Sequence, residues 1–88
     1  MITPAIRKAV LRILSTIAAD ADLSTVHPHR SFHDQFEIDS IDYLGLMMAL
    51  EEEFQVIIPD LDYPKLSTLQ GCVEYLAEKL NRLDKWAS

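Results

Sequence analysis

The sequence predicts an all-α fold, a small bundle of three principal helices with a short helical segment before the last one. Three long segments place apolar residues at the three- and four-residue spacing of an amphipathic helix, and no segment shows the clear alternation of a half-buried strand. The chain has 88 residues, of which 49% are hydrophobic and two are glycine. This length and composition suit one core, so residues 1–88 are predicted to form a single domain.

The first helix is predicted to run from Pro4 to about Ala19. Thr3 offers a hydroxyl N-cap, and the proline after it lacks only an N–H that the first turn does not use. The apolar stripe of this helix consists of Ile6, Val10, Ile13, Leu14 and Ile17. A connection of about twenty residues follows, which is long for a compact domain. We expect it to be pinned across the helix ends by its apolar residues, which are Leu23, Val26, Phe32 and Phe36.

The second helix is predicted to begin at Asp39 or Ser40 and to run to about Phe54. Asp39 is a favourable N-cap, and Asp42 three residues later can bond back to it in a capping box. The core face of this helix is predicted to consist of Tyr43, Leu46, Met47, Leu50 and Phe54.

A second apolar stripe on the same helix consists of Ile41, Leu44 and Met48 and lies beside Glu51 and Glu52. A helix in a small bundle normally buries one face, so this stripe is either covered by the long connection or exposed as a contact surface. Both outcomes stay open for Ile41, whereas we expect Leu44 and Met48 to be exposed.

The last helix is predicted to begin at Ser67, with Gln70 as the partner in a second capping box, and to end near Asp84. Before it, Pro59 and Pro64 allow at most a single helical turn between them. The apolar stripe of the last helix consists of Leu69, Cys72, Val73, Leu76, Leu80 and Leu83.

Two residues of this segment have a less certain role in the pattern. Cys72 is the only cysteine, so the chain has no intrachain disulfide, and its place on the apolar stripe predicts a core residue. Trp86 lies beyond that stripe, and the sequence leaves open whether its ring docks back or lies over a frayed helix end.

The acidic residues are concentrated in the middle of the chain. Nine of the fourteen lie between Arg30 and Lys65, and all eight basic residues lie at or outside those two positions. A field of one sign repels nucleic acid and anionic membranes and favours basic protein surfaces. A solvated acidic face is the alternative, but the segregation favours a surface that recognises basic proteins.

The N-terminal segment and the histidines exclude several other classes of protein. Basic residues interrupt the first apolar pattern, so we expect neither a signal peptide nor a membrane span there, and a cytoplasmic protein. His27, His29 and His33 match no common zinc spacing, so no metal site is predicted. A serine hydrolase using Ser40 is disfavoured because the chain has no G-x-S-x-G turn and no glycine-rich oxyanion loop.

Ser40 lies where the acidic residues, the second apolar stripe and a helix start meet. On the residues alone, the simpler interpretation is that its hydroxyl caps the helix. A phosphate on that hydroxyl would also be tolerated, because a helix N-terminus has free N–H groups and the positive end of the helix dipole.

Residues 39–60, DSIDYLGLMMALEEEFQVIIPD, resemble the second helix of acyl carrier proteins, in which a serine carries 4′-phosphopantetheine. The family pattern is an apolar residue, Gly, any residue, Asp, Ser and then Leu or Ile; residues 36–41 read FEIDSI. SFHDQF at 31–36 and LSTLQGCVEYL at 66–76 are similar to the segments that flank this helix in the family. The resemblance covers roughly residues 3–83.

The resemblance implies that Ser40 is the attachment site and that Asp39 is the aspartate preceding it. A phosphopantetheinyl transferase would then move the group from coenzyme A onto Ser40, and the protein itself would perform no chemistry. Acyl intermediates would be held as thioesters on the arm and could be sheltered between the helices. The implied fold is a four-helix bundle with a long first loop.

The resemblance also implies a surface for partner enzymes that carry basic patches. Its residues would be Asp42, Glu51 and Glu52 together with Ile41, Leu44 and Met48. The segment ALEEEF favours fatty-acid or polyketide-type synthesis over peptide synthesis, and a monomer is expected.

The chain departs from the family pattern at four positions. Glu37 replaces a glycine and Ile38 is bulkier than the common alanine, so a different loop conformation before the serine is expected. Gly45 replaces a frequent glutamate, and Pro64 lies inside the short third helix. These differences suggest a dedicated carrier. The alternative is an unmodified acidic helical adaptor that binds basic partner proteins, whose binding would not depend on Ser40.

Overall fold

The computed structural model describes residues 2–19 and 22–87, with side chains described for residues 3–19 and 22–82. The helices in chain order are α1 (Ile2–Ile17), a short 3-10 turn (Leu23–Thr25), α2 (Phe32–Gln35), α3 (Ser40–Phe54), a 3-10 helix (Asp60–Leu66) and α4 (Leu69–Ala87). No strand occurs in these ranges; one isolated bridge joins Ser31 and Thr68. The predicted all-α bundle of three principal helices and a short one is confirmed, with the 3-10 helix as the short one.

The core is built from the predicted apolar stripes of the three long helices. Its buried residues are Ile6, Val10, Ile13, Leu14, Phe32, Leu46, Met47, Leu50, Ile58, Leu66, Leu69, Cys72, Val73 and Leu76. Tyr43 and Phe54, which were also predicted for the core face, are half-buried and pack against this cluster. α1 packs against both α3 and α4, so the three helices share one apolar interior.

α1 begins earlier than predicted. It starts at Ile2, so the prediction of Thr3 as the N-cap is wrong, and Thr3 lies inside the first turn. Pro4 is compatible with this position because the first four N–H groups of a helix have no intrahelical partner to lose. The helix ends at Ile17, two residues before the predicted Ala19.

α4 is capped by Thr68 rather than by the predicted Ser67. Ser67 has helical backbone angles (φ −75°, ψ −11°) because it ends the preceding 3-10 helix, whereas an N-cap residue is typically extended. The Thr68 hydroxyl accepts a hydrogen bond from the Gly71 N–H at 2.9 Å. Gln70 does not bond back in a capping box but donates to Glu74 at 3.0 Å.

α4 continues past the predicted end near Asp84, to Ala87. The side chains of Leu83 and Trp86, which were considered for the core, lie outside the described residues.

The 3-10 helix is longer than the single turn predicted between its flanking prolines, and Pro64 lies inside it. A 3-10 helix has φ of about −50° to −70°, which is the value the proline ring imposes, so the ring fits without distorting the backbone. The prediction treated Pro64 as a helix terminator because in an α-helix its ring would collide with the preceding turn.

Side chains of the flanking helices hold the 3-10 helix in place. The Tyr43 hydroxyl of α3 donates to the Tyr63 carbonyl. On the α4 side, the Tyr75 hydroxyl donates to the Asp62 carboxylate at 2.6 Å, a hydrogen bond that lowers the pKa of that carboxyl. The Cys72 thiol donates to the Leu66 carbonyl at 3.2 Å.

The long connection between α1 and α3 is pinned to the start of α4, as predicted. The Phe32 side chain is fully buried, and its N–H donates to the Ser67 carbonyl at 2.8 Å. The Gln70 N–H donates to the Pro28 carbonyl at 2.9 Å. The other predicted anchors, Leu23, Val26 and Phe36, are partly buried against the core.

α3 begins with the predicted capping box. The Asp39 carboxylate accepts from the Asp42 N–H at 2.9 Å, and the Asp42 carboxylate accepts from the Asp39 N–H at 3.2 Å. The helix ends at Gln55, whose left-handed backbone (φ 54°, ψ 48°) is the only positive φ among the described non-glycine residues. Both ends of α3 are therefore fixed by local hydrogen bonding.

The two glycines are expected to respond oppositely to alanine. A methyl group on Gly71 would lie 2.3 Å from the Lys65 carbonyl oxygen, so we expect Gly71→Ala to lower the free energy of unfolding by about 1–3 kcal/mol. Gly45→Ala is the control, because nothing lies within 4 Å of the added carbon; it should raise the free energy of unfolding by about 1 kcal/mol. Urea denaturation measures both, and a stabilised Gly71→Ala would contradict the close packing of α4 on the 3-10 helix.

The capping box should contribute measurably to stability. Asp39→Ala removes the acceptor for the Asp42 N–H and is expected to lower the free energy of unfolding by about 1 kcal/mol. Asp39→Asn is the control, because asparagine caps about as well as aspartate, and it should stay within about 0.5 kcal/mol of the unaltered protein. Thermal or urea unfolding at neutral pH makes the comparison, and equal losses in the two variants would show that charge rather than capping matters.

Candidate functional site

Ser40 is the first residue of α3, and its side chain is exposed. The helix is capped by Asp39, so the interpretation of Ser40 as the cap is wrong. Among the residues that the structure describes, the Ser40 hydroxyl takes part in no hydrogen bond. It therefore lies free at the positive end of the α3 dipole, beside backbone N–H groups that have no partner inside the helix.

The approach to Ser40 contains the substitutions Glu37 and Ile38. Neither residue has a positive φ, so no left-handed turn requires a glycine here. Glu37 is exposed, whereas Ile38 packs against the core and its N–H donates to the Phe36 carbonyl at 3.0 Å. The bulkier isoleucine thus serves as an anchor that fixes the chain just before the serine.

The second apolar stripe of α3 is open to solvent. Ile41 is 77% exposed, Met48 58% and Leu44 44%. The long connection therefore does not cover Ile41, and the expected exposure of Leu44 and Met48 is confirmed. A row of large apolar side chains on one exposed helix face is a typical feature of a protein contact surface.

The three acidic residues predicted for partner contact have different surroundings. Asp42 is engaged in the capping box, and the Glu51 carboxylate accepts from the Ile58 N–H at 2.9 Å, so both stabilise the fold and are half-buried. Glu52 is exposed, and in the described part of the chain its carboxylate makes no ion pair or hydrogen bond. Its neighbour Glu53 pairs instead with Arg12 of α1 at 2.7 Å. Glu52 is therefore the carboxylate most available to a partner.

Several features near the site were missed by sequence reasoning. Ile57 and Leu61 are 76% and 91% exposed, although they stand in an apolar run that suggested burial. Tyr43 joins α3 to the 3-10 helix through its hydroxyl, and its ring lies 5.1 Å from that of His33. The apolar character of Leu61 between two aspartates was the one available signal, since such a residue rarely lies in a solvated acidic turn without a reason.

The chemistry available to Ser40 is that of an acceptor. No general base bonds its hydroxyl among the described residues, so the serine is not activated as a nucleophile by its own protein. Its exposure and the unpaired N–H groups beside it suit a phosphodiester that another enzyme attaches. A covalent phosphopantetheine group therefore fits the residues present, and Asp39 leaves the hydroxyl free by capping the helix itself.

None of the helices in the described ranges is both long enough and apolar enough to cross a membrane.

Comparisons with known proteins agree with this geometry. A family model described as a phosphopantetheine attachment site matches residues 5–76. An acyl carrier protein of Rubrobacter xylanophilus is 39% identical over 75 residues, which cover 82% of this chain and 93% of the relative. Those of Chlorobium phaeobacteroides and Thermosynechococcus vestitus are also 39% identical, covering 76% and 81% of this chain and 83% and 91% of the relatives. The chain therefore belongs to the acyl carrier protein family, whose members hold a covalently attached 4′-phosphopantetheine group.

Proposed function

We propose that Ser40 carries the 4′-phosphopantetheine arm, and that the protein holds acyl intermediates on it as thioesters and presents them to partner enzymes. The observation that carries the proposal is the exposed, unbonded Ser40 hydroxyl at the N-terminus of α3, inside the matched residues. When bound, the arm supplies a terminal thiol that forms the thioester. The pathway proposed is fatty-acid or polyketide-type synthesis, with this chain as a dedicated monomeric carrier.

The residues around Ser40 have distinct roles in this proposal. Asp39 and Asp42 fix the start of α3, so that the serine keeps one orientation toward solvent. The free N–H groups of the first turn stabilise the negative charge of the phosphodiester. A phosphopantetheinyl transferase would attach the group from coenzyme A, because the chain offers no base of its own for that step.

The exposed face of α3 is the proposed surface for the transferase and for the acyl-loading and acyl-processing enzymes. Ile41, Leu44 and Met48 would supply apolar contacts, and Glu52 a charge that attracts basic patches. Asp42 and Glu51 extend the negative field while they stabilise the fold. The combination of an apolar centre and an acidic rim suits a transient protein complex.

Two features support a dedicated rather than a general carrier. Gly45 lies on the exposed side of α3 and places no charge where many fatty-acid carriers have a glutamate. Ile57 and Leu61 present apolar side chains beyond the end of the helix. A partner that binds this chain would therefore meet a less acidic and more apolar surface than that of a carrier with acids at these positions.

Intact mass spectrometry tests the attachment. The folded protein is incubated with coenzyme A and a broad-specificity phosphopantetheinyl transferase, and we expect a gain of one phosphopantetheine. Ser40→Ala should show no gain. Ser15→Ala, which removes another exposed serine, should load as the unaltered protein does. Absence of any gain with several transferases on folded protein would favour the unmodified adaptor instead.

The contact surface is tested by charge reversal on two helices. Glu52→Lys should lower kcat/KM for transferase loading by about tenfold, because it places a positive charge beside the apolar stripe. Glu74→Lys on α4 makes the same change in net charge on another face and should alter kcat/KM by less than about twofold. Equal losses in both variants would mean that only net charge matters, and would contradict a surface centred on α3.

A further inference from the structure

Two tyrosines close the space between α3 and the 3-10 helix. Tyr43 lies three residues after Ser40, which places it one turn further along α3. Its hydroxyl donates to the Tyr63 carbonyl, and the two rings meet edge to face with centroids 6.4 Å apart and an interplanar angle of 82°. An arm attached at Ser40 that turned toward the core along this side would meet the tyrosine pair first.

The interior behind the pair is filled by apolar side chains. Leu46, Met47, Leu66 and Cys72 have no exposed surface. Burial raises the pKa of the Tyr43 hydroxyl above its ordinary value, so the hydroxyl stays protonated and remains a donor throughout the neutral range. The closure therefore does not depend on pH near neutrality.

The 3-10 helix is also prevented from moving away from α3. The Ile58 N–H just before it bonds to Glu51 of α3 at 2.9 Å. Tyr75 and Cys72 of α4 bond to its two ends through the Asp62 carboxylate and the Leu66 carbonyl. Opening the space would break hydrogen bonds to both neighbouring helices together.

The other side of Ser40 is covered by the long connection. Phe32 is fully buried there, and the Phe36 ring stacks on it with centroids 6.3 Å apart. Ile38 packs against the same core immediately before the capping box. Both routes from Ser40 toward the interior are thus occupied by side chains of the protein itself.

We propose, resting on the proposed attachment at Ser40, that the Tyr43–Tyr63 pair excludes the acyl chain from the helix bundle, so that the thioester cargo stays outside it. An apolar chain left in water is unfavourable in proportion to its exposed area. The cargo class that suits this carrier is therefore a short or polar acyl group. Tyr43 acts as a specificity-determining residue because it removes the shelter that would stabilise a long apolar chain.

The test compares acyl groups of two lengths on the same protein. A broad-specificity transferase loads Ser40 from acetyl- or octanoyl-coenzyme A, intact mass confirms the product, and thermal unfolding gives the midpoint of each form. In the unaltered protein the two midpoints should agree within about 1 °C. In Tyr43→Ala, the octanoyl form should unfold about 4 °C or more above the acetyl form, because a chain buried only in the folded state stabilises that state.

Two outcomes would overturn the proposal. One is an octanoyl form of the unaltered protein that unfolds about 4 °C or more above its acetyl form. The other is a folded Tyr43→Ala variant that gains nothing from the longer chain. If Tyr43→Ala does not fold, Tyr63→Ala removes the second ring while keeping the carbonyl acceptor, and the same gain is expected from it.

NMR of the unaltered octanoyl form gives a second readout that needs no variant. A labelled terminal methyl should show no contact with the methyl groups of Leu46 or Leu66, and such contacts would contradict the closure.

Failure of the proposed function would look different. In that case neither coenzyme A thioester would add mass, whatever its length. The closure is then read on Ser40→Cys alkylated with short- and long-chain iodoacetamides, with the same midpoints expected. Burial raises the pKa of the Cys72 thiol to about 12, which leaves the new cysteine as the reactive one.

Discussion

The structure depends on the docking of the long connection onto the start of α4. Two backbone hydrogen bonds, from Phe32 to Ser67 and from Gln70 to Pro28, join segments that are far apart in the chain. Burial of the Phe32 side chain adds about 1.5–3 kcal/mol to offset the entropy lost by ordering so many irregular residues. The Gln35 side chain tightens the same connection by bonding to the carbonyls of His27 and Arg30 at 2.7 and 2.8 Å. Because α3 starts directly after it, this docking decides where Ser40 lies.

The sequence predicted the features that rest on local chemistry or on periodicity. The stripes of α1, α3 and α4 were recognisable because a buried helix face repeats every three to four residues. The Asp39–Asp42 capping box was recognisable because its partners are close in the chain. The exposed stripe followed from the same reasoning, since α3 has more apolar residues than one core face can hold.

The features that sequence reasoning missed depend on contacts between distant segments or on competition between neighbours. Ser67 and Thr68 are equally good caps in isolation, and the end of the preceding 3-10 helix decides between them. The length of that helix around Pro64 depends on hydrogen bonds from α3 and α4, which the local sequence does not contain. Tyr43 has the periodicity of a core residue, and only its partner twenty residues away reveals that it joins two elements.

The exposed stripe of α3 also bears on how copies of the protein behave toward one another. Large apolar side chains open to water favour association, yet a second copy approaching the stripe would bring its own Asp42, Glu51 and Glu52 against the same carboxylates. At neutral pH and low ionic strength this repulsion opposes self-contact and leaves the face available to basic proteins. Acidification that protonates the carboxylates, or salt that screens them, removes the repulsion while the apolar area remains. The colloidal stability of the free protein is therefore set by the charged rim of the surface that binds its partners.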